Sequence, residues 1–325
     1  MIARRILWKR LGQPLRHSLK LKPSPDYYRD PDRHPEYLEP HQRGEILVAA
    51  VLDALVHVWV ARLSRLGEVR SGHLDRGRVV EEGAAAADYL LTMAIRALDY
   101  TPPTHLLFGD FLSALITADL EIRPNDEKYG FRKELLDGFA RFGIEPASAG
   151  TAQQPGAWTA ADGDFSYARS RFESMLRDPD EVFGFIWENR KALKLYEGAY
   201  GQVLSVRPCL RIGPDDGFPL RETVAEFYQV LKITASELGS IGLKKPAGMA
   251  ADQQISLYGG SALIFDEYGR LKYNVSNRID DVARQQKRLD YLWLYGFFDG
   301  GALSLGQSLF EEFHVKLVAN RGDMA

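Results

Sequence analysis

The segment 46–61 is the most apolar part of the chain, and it constrains the fold more than any other feature. It is shorter than the roughly 20 residues that a membrane-spanning helix needs, and it carries Asp53 and His57, which are costly inside a bilayer. Extended to Leu66, the segment is apolar almost all round, as is typical of a central helix covered on every side. It therefore predicts the buried helix of a helical bundle and no membrane span.

Three further segments repeat apolar residues at helical spacing. They predict helices over 78–100, 108–122 and 129–142. Pro102 and Pro103 end the first of these helices, and Gly143 is placed to adopt the left-handed conformation that caps the last. Together with the central helix, these segments predict a compact helical domain.

The second half of the chain changes character, because helical periodicity gives way to alternation of apolar and polar residues. The predicted elements are helices over 165–176 and 181–196, strands over 202–212, 223–235, 254–265 and 270–275, and a closing helix over 280–295. A helix is the alternative over 223–235. Gly269 stands in the turn between the last two strands, where a positive φ is needed, so these strands are expected to form a β-hairpin. The partly apolar tail after Gly300 is expected to pack back on the protein.

These elements indicate an α+β protein with four parts. Residues 1–40 are a basic and proline-rich arm, 41–146 a helical domain, 147–164 a linker, and 165–325 a smaller α+β domain whose sheet contains the hairpin. A basic arm can dock on nucleic acid or on a membrane surface. We favour a solvated tail or a strap over the protein's own surface, because the arm lacks the interleaved aromatic residues that stack on bases.

Composition narrows the class of protein. The formal net charge of −3 gives no overall attraction to nucleic acid or to acidic membranes. The single cysteine, Cys209, excludes a disulfide within the chain and fits a reducing compartment, so we expect a cytoplasmic protein. Because Cys209 follows Pro208 in a predicted strand, we expect a small core residue there and not a nucleophile.

No strong catalytic or metal-binding motif occurs in the sequence, and the seven histidines are scattered. Asp53 and His57 lie four residues apart on the central helix and share a face. Three interpretations fit this pair: an acid–base pair, half of a metal site, or a polar pair that orients the helix. We favour the polar pair. His41 stands at the entrance of that helix, where it either donates a hydrogen bond into a cleft or lies on the surface near the cap.

Three blocks in a fixed order resemble the helical domain of thermolysin-like and fungalysin-like zinc peptidases, the gluzincins. They are H-x-x-G-E from His41 to Glu45 before the apolar helix, a proline turn and helix over 100–119 ending in Ala-Asp, and a helix over 131–143 ending in Phe-Ala-x-x-Gly. The blocks are closest to uncharacterised bacterial gluzincin-like proteins, through R-G-x-[IL]-L-V-A-A-V-x-D-A, I-R-A-L-D-Y-x-P-P and L-I-T-A-D at 43–54, 95–103 and 115–119. The resemblance covers about a third of the chain.

The resemblance implies a role for His41. In gluzincins a histidine of the helical domain stabilises the oxyanion that forms when zinc-bound water attacks a peptide carbonyl, and His41 matches that position. The zinc-binding helix and its glutamate base precede this histidine in the family, and residues 1–40 contain neither. We therefore expect a truncated or degenerate metallopeptidase-like protein that acts as a binding or scaffold module. Zinc is expected only if the missing half is present.

Three other interpretations stay open. The chain is the helical half of an active zinc peptidase whose H-E-x-x-H half is supplied upstream or in trans, or it is an unrelated hydrolase that uses Asp53, His57 or His41. Least favoured, it binds nucleic acid through the basic arm. The expected partner is a polypeptide or the missing N-terminal zinc domain, and a central helix that lost its cover would favour self-association.

We expect the purified and dialysed protein to contain no stoichiometric zinc and to leave casein uncleaved with or without added zinc. The physical reason is that water activation has neither a metal nor a base in this chain. Elemental mass spectrometry and a casein-cleavage assay measure the two quantities. Stoichiometric zinc with cleavage that a chelator stops would contradict the expectation.

Overall fold

The computed structural model describes residues 18–30, 32–66, 74–126, 129–212, 217, 219–294 and 296–298. The basic start of the arm and the apolar tail after Gly300 lie outside the described residues. Within them, helices and one antiparallel sheet make an α+β fold whose N-terminal part is helical, as predicted.

Four helices form the first half of the described structure. They are α1, Pro40–Leu63; α2, Arg76–Ala97; α3, Phe108–Ile122; and α4, Phe131–Arg141. α1 packs against α2 and α4, and α2 packs against α3. At the closest approach, a Cβ on Gly138 of α4 would lie 3.2 Å from the Ala50 carbonyl oxygen and 3.3 Å from the Ala54 Cβ. Small residues on both helices therefore allow α1 and α4 to meet.

Local signals set the ends of these helices. The Glu39 side chain accepts a hydrogen bond from the Gln42 amide at 2.8 Å and caps α1, whose first residue is Pro40. Gly130 precedes α4 with a φ of 68°, a left-handed conformation that delays the helix to Phe131. The predicted helices are confirmed. These residues set where α1 and α4 begin, and α3 has the predicted ends.

α1 is not covered on every side, so that prediction is wrong for the described residues. Ile46, Ala54 and Val58 have no exposed surface, but Val56 and Val60 are 43% and 58% exposed. The described neighbours pack along only part of the helix surface. By length and composition alone, the stretch of this helix from residue 42 to residue 63 would suffice to cross a membrane, but the core helix of a soluble protein gives the same pattern.

The described part of the arm lies against the helical bundle. It contains single helical turns at Asp26–Arg29 and Pro35–Leu38, and tyrosines from both turns pack on the core. Arg29 donates a hydrogen bond to the Gly143 carbonyl oxygen at 3.1 Å and pairs with Glu145. Residues 18–30 and 32–39 therefore form a strap over the protein's own surface.

Four antiparallel strands form a single sheet in the order β1-β2-β3-β4. They are β1, Tyr200–Ile212; β2, Pro219–Thr234; β3, Gln254–Phe265; and β4, Leu271–Asn277. β3 and β4 make the predicted hairpin, in which Ser261 pairs with Ser276 and Gly269 has a φ of 79° in the turn. Segment 223–235 belongs to a strand and is not the alternative helix.

Helices cover both faces of the sheet. Val224 and Ile264 on one face belong to the core of the helical bundle. Ala225 and Leu263, one residue away along the same two strands, face the opposite side and pack in a core that includes α5, Pro179–Glu188. β2 and β3 are therefore buried on both faces, which weakens the alternation expected of a half-exposed strand.

The helix α6, Val282–Leu294, confirms the predicted closing helix. Its Leu289 packs in a third core with Leu238, from a 3-10 helix at Ala235–Ile241, and with Ile255 of β3. α6 thereby lies over the end of the sheet.

Two helical predictions have wrong bounds. Of segment 165–176 only Phe172–Met175 is α-helical, and of segment 181–196 only the part up to Glu188 is. Asn189 ends α5, because its side-chain amide donates to two backbone carbonyl oxygens at 2.8 and 2.9 Å. The apolar periodicity of the sequence continues past Asn189, so it does not predict that the helix ends there.

Residues 147–164, predicted as a linker, contact the helical half of the protein. The Trp158 amide donates to the Thr117 hydroxyl at 2.8 Å, and its indole donates to the Tyr100 carbonyl oxygen at 2.9 Å. The largest hydrophobic core takes residues from the helices, from Ala157 and from the sheet. The predicted domain boundaries stay a prediction, and one core extends across them.

A buried carboxylate joins the sheet to the helical half. The Glu222 side chain of β2 has no exposed surface. It accepts hydrogen bonds from the Tyr100 hydroxyl at 2.7 Å, from the Lys272 ammonium at 3.0 Å and from the Arg211 guanidinium. Burial, followed by the charge of Glu222, raises the pKa of Tyr100 far above its usual range, so the phenol remains a donor.

Four further charged residues lie around the direct partners of Glu222. They are Asp99 and Glu121 from the helical half and Arg207 and Glu226 from the sheet. Arg207 bridges Asp99 and Glu226 at 3.1 and 3.2 Å. Glu222 is therefore shielded from solvent and paired with charges of the sheet, whereas Glu226 remains partly exposed.

We expect Glu222→Ala to lower the free energy of unfolding by about 3–5 kcal/mol, because it leaves buried cations and a buried phenol without their acceptor. Urea unfolding measures the loss. Asp137→Ala, which breaks the exposed Lys133–Asp137 pair, is the control and should change little. Equal, small losses in the two variants would contradict a structural role for Glu222.

Candidate functional site

The structure brings Asp53 and His57 together, as their spacing predicts. The His57 Nδ1 lies 2.7 Å from the Asp53 carbonyl oxygen and 3.7 Å from its carboxylate. Arg141 of α4 donates two hydrogen bonds to the same carboxylate at 2.6 and 2.8 Å. Because Arg141 already occupies this carboxylate, the group is a surface polar cluster that ties α1 to α4. The catalytic roles suggested for Asp53 and His57 stay predictions.

His41 is the second residue of α1, and its side chain lies outside the described residues. Its predicted role as an oxyanion stabiliser therefore stays a prediction. Among the described residues, no three His, Cys, Asp or Glu side chains gather as a metal site requires. Cys209 is half-buried in β1, and burial raises the pKa of its thiol, so it behaves as the expected packing residue.

A cavity of about 410 Å³ opens between α3, α4 and the loop before Ala157. Its floor is apolar, and its charged lining residues already have partners. Arg132 pairs with Asp119 at 3.1 Å, and Lys133 pairs with Asp137 at 2.5 Å. No lining side chain here has a buried donor or acceptor without a partner, so this cavity has no polar group that would select a ligand.

The loop 101–107 joins the 3-10 turn Leu98–Tyr100 to α3 and is held from three directions. Asn277 of β4 donates to the Thr104 carbonyl oxygen at 2.6 Å, and Arg284 of α6 donates to the His105 carbonyl oxygen at 3.1 Å. The Leu107 amide donates to the Asp110 carboxylate at 2.8 Å. These contacts fix a loop that two prolines already stiffen.

His105 has a φ of 52°, in the left-handed region that few residues other than glycine adopt. Such a conformation costs about 1–3 kcal/mol and persists only where the surroundings enforce it. Here the bonds from Asn277 and Arg284 enforce it. Both ring nitrogens of His105 are buried, so the side chain points inward from this strained backbone.

Two arginines on α6 approach the loop, and they differ in their partners. Arg284 makes a two-point ion pair with the buried Asp110, at 2.7 and 3.2 Å. Arg288, one turn later, makes no ion pair with any described residue, and its Nε is buried without a hydrogen-bond partner. Burial lowers the pKa of Arg288, so its positive charge is held at a cost.

Several buried polar atoms of the loop 101–107 and of α6 have no partner in the described structure. They are Oγ1 of Thr104, Oε1 of Gln285, Nε of Arg288 and the nitrogen of the His105 ring that does not bond to the Tyr258 backbone, and we call these four residues the His105 cluster. Tyr258 of β3 lies among them, because its carbonyl oxygen accepts from Gln285 at 2.7 Å and its ring centroid is 6.4 Å from that of His105. Buried polar atoms are nearly always paired, so such a group marks a place for a ligand or for ordered water.

Gly260 of β3 allows the loop to sit on the sheet. A Cβ at this position would lie 2.9 Å from the Pro103 ring and 3.0 Å from the Thr104 hydroxyl. Both distances are shorter than ordinary van der Waals contact. A glycine at residue 260 is therefore needed for the cluster to form.

The imidazole of the cluster is neutral at physiological pH. Burial lowers the pKa of His105 to about 3. The charges of Arg288 and Arg284 act in the same direction as burial, and a hydrogen bond with the backbone of Tyr258 opposes them. A neutral ring offers one donor and one acceptor. A base with so low a pKa is poorly matched to proton abstraction near pH 7, so the chemistry that this cluster favours is binding.

The sequence did not single out His105. It is one of seven scattered histidines, and its partners Asn277 and Arg284 follow it by more than 170 residues. The available signals were local and weak: a histidine two residues after a pair of prolines, and two arginines four residues apart on a predicted helix. Neither signal indicates that the two segments meet.

We expect stability to fall as the pH drops from about 6.5 to about 3, because the unfolded chain protonates His105 in this range and the folded protein does not. The contribution reaches at most about 1.4 kcal/mol per pH unit. Asparagine tolerates a left-handed φ, so His105→Asn should remove this part of the slope. Urea unfolding at several pH values measures it, and identical pH dependence in the two proteins would contradict the burial of the ring.

Comparison of the chain with protein-family models, with curated proteins and with solved structures found no match. The resemblance to gluzincins is thus carried by the three sequence blocks alone and stays a hypothesis.

Proposed function

We propose that this protein is a binding module and that the His105 cluster accepts an anionic group. The observation that carries the proposal is the guanidinium of Arg288, which is half-buried, has no acidic partner among the described residues and keeps its Nε buried without a hydrogen-bond partner. A charge that is largely removed from water and has no partner is unfavourable. An anion that pairs with it would remove this cost and would gain charge-assisted hydrogen bonds.

The donors of the cluster suit an anion. Arg288 offers a charged N–H and Thr104 a hydroxyl. They come from two segments, the loop 101–107 and α6, that the Arg284–Asp110 ion pair and the Arg284 bond to the loop hold together. An anion would therefore meet a preorganised set of donors, which lowers the entropic cost of binding.

Binding is favoured over catalysis for a physical reason. His105 is too weak a base to abstract a proton near pH 7, and the carboxylate of Asp53 is occupied by Arg141. A peptidase-derived scaffold without a zinc half is consistent with this interpretation, and it makes a polypeptide the expected partner. That ancestry and a cytoplasmic location form part of the proposal.

We expect acetate, added at constant ionic strength, to stabilise the protein by about 1.4 kcal/mol when its free concentration is about ten times its Kd. Arg288→Met should abolish this effect, because the anion loses its charged donor. The same substitution should leave the ligand-free protein as stable or more stable, since an apolar side chain of similar size replaces an unpaired buried charge. Thermal and urea unfolding measure both quantities.

Lys287→Met is the matched control for this experiment. Lys287 is the exposed neighbour of Arg288 on α6 and carries the same charge. The control should keep the stabilisation by acetate. Equal stabilisation of the Arg288→Met protein, or marked destabilisation by that substitution in the absence of acetate, would contradict the proposed function.

A further inference from the structure

We infer that the anion accepted by the His105 cluster is a carboxylate that carries its own N–H donor on the adjacent carbon, as the C-terminal residue of a polypeptide does. The inference rests on the proposed function and names the ligand of that same site. It follows from the hydrogen-bonding capacity left unused in the cluster.

Gln285 is the residue that requires a donor from the ligand. It is 2% exposed, and its amide nitrogen donates to the carbonyl oxygens of Tyr258 and Arg278 at 2.7 and 3.2 Å. These two bonds use both N–H groups and fix which way the side-chain amide points. The remaining atom, Oε1, is a buried acceptor without a partner.

A simple anion would satisfy only part of the cluster. Acetate accepts from Arg288 and Thr104 but has no hydrogen to donate to Gln285. A ligand that leaves this acceptor unpaired forfeits roughly tenfold or more in affinity. The preferred ligand therefore combines an anionic acceptor with a donor.

The spacing of the side chains favours a donor close to the anion. Gln285 and Arg288 are three residues apart on α6, so their side chains are neighbours on one face of the helix. In the last residue of a polypeptide, one Cα separates the carboxylate from the residue's own amide N–H. That compact pair can reach both side chains at once.

The charge of the cluster favours a monoanion. Arg284 is already balanced by Asp110, and His105 is neutral, so among the described residues of the cluster Arg288 contributes the one uncompensated positive charge. A carboxylate balances it, whereas a phosphate dianion would leave a buried negative charge in excess. Arg288 itself is half-buried, so an anion can reach it from solvent.

Isothermal titration with a matched series of small probes tests the inference. The probes are N-acetylalanine, its N-methylated analogue, N-acetylalanine amide, free alanine and inorganic phosphate. We expect N-acetylalanine to bind at least about tenfold more tightly than the N-methylated analogue, which has the carboxylate but lacks the N–H. The amide, which lacks the anion, should show no binding.

The outcomes separate the inference from the proposed function. If the N-methylated compound or phosphate binds as tightly as N-acetylalanine, the inference is wrong and anion binding stands. Tighter binding of free alanine would assign the site to amino acids and overturn the polypeptide terminus. If no anion binds, both proposals fall, and the cluster holds water.

A variant of the acceptor gives a second test. Gln285→Met removes Oε1, so N-acetylalanine and its N-methylated analogue should then bind with equal affinity. Circular dichroism first checks that the variant folds, and the probe series on the unaltered protein decides the question if it does not. Persistent discrimination in a folded variant would show that Gln285 is not the acceptor, against the inference.

Discussion

The rest of the structure depends on the pairing of one buried carboxylate, that of Glu222. A carboxylate without solvent contact is tolerated only if positive charges and donors surround it. Here they come from two strands and from the turn that follows α2. Because Tyr100 is one of them, the turn Leu98–Tyr100 is fixed on the sheet, and the loop that follows begins at a defined place.

That starting point decides where His105 lies. The loop leaves Tyr100 through two prolines, crosses Gly260 and reaches α6, where Arg284 and Asp110 hold its far end. The left-handed backbone of His105 is the cost of this route. Strain of this kind, together with unpaired buried polar atoms, is concentrated in proteins at sites that bind something.

The elements that are decided locally could be predicted from the sequence. Helix α3 has the predicted ends because prolines and apolar spacing define it, and Gly269 marks the hairpin turn because a positive φ is needed there. The contact between Asp53 and His57 follows from helical geometry. The segment 181–196 was predicted too long, because the stop at Asn189 depends on a hydrogen bond to Ser166, which lies 23 residues earlier.

The candidate site could not be predicted, because it is made by contacts between distant parts of the chain. The bond from Asn277 to the loop joins residues 173 positions apart. Nothing in the local pattern of β2 shows that Glu222 would be buried against the helices. The sequence therefore does not predict where the loop lies. An unpaired arginine is also invisible in a sequence, since pairing is a property of the fold.

The most direct measurement of the central claim is the titration of the His105 ring by nitrogen NMR, with the signal assigned through His105→Asn. The account predicts a ring that stays neutral down to a pH below 5 in the free protein, with a pKa that rises when N-acetylalanine pairs with Arg288. A ring that titrates near its usual pKa of about 6.5, whether or not N-acetylalanine is present, would place His105 in solvent and contradict the site.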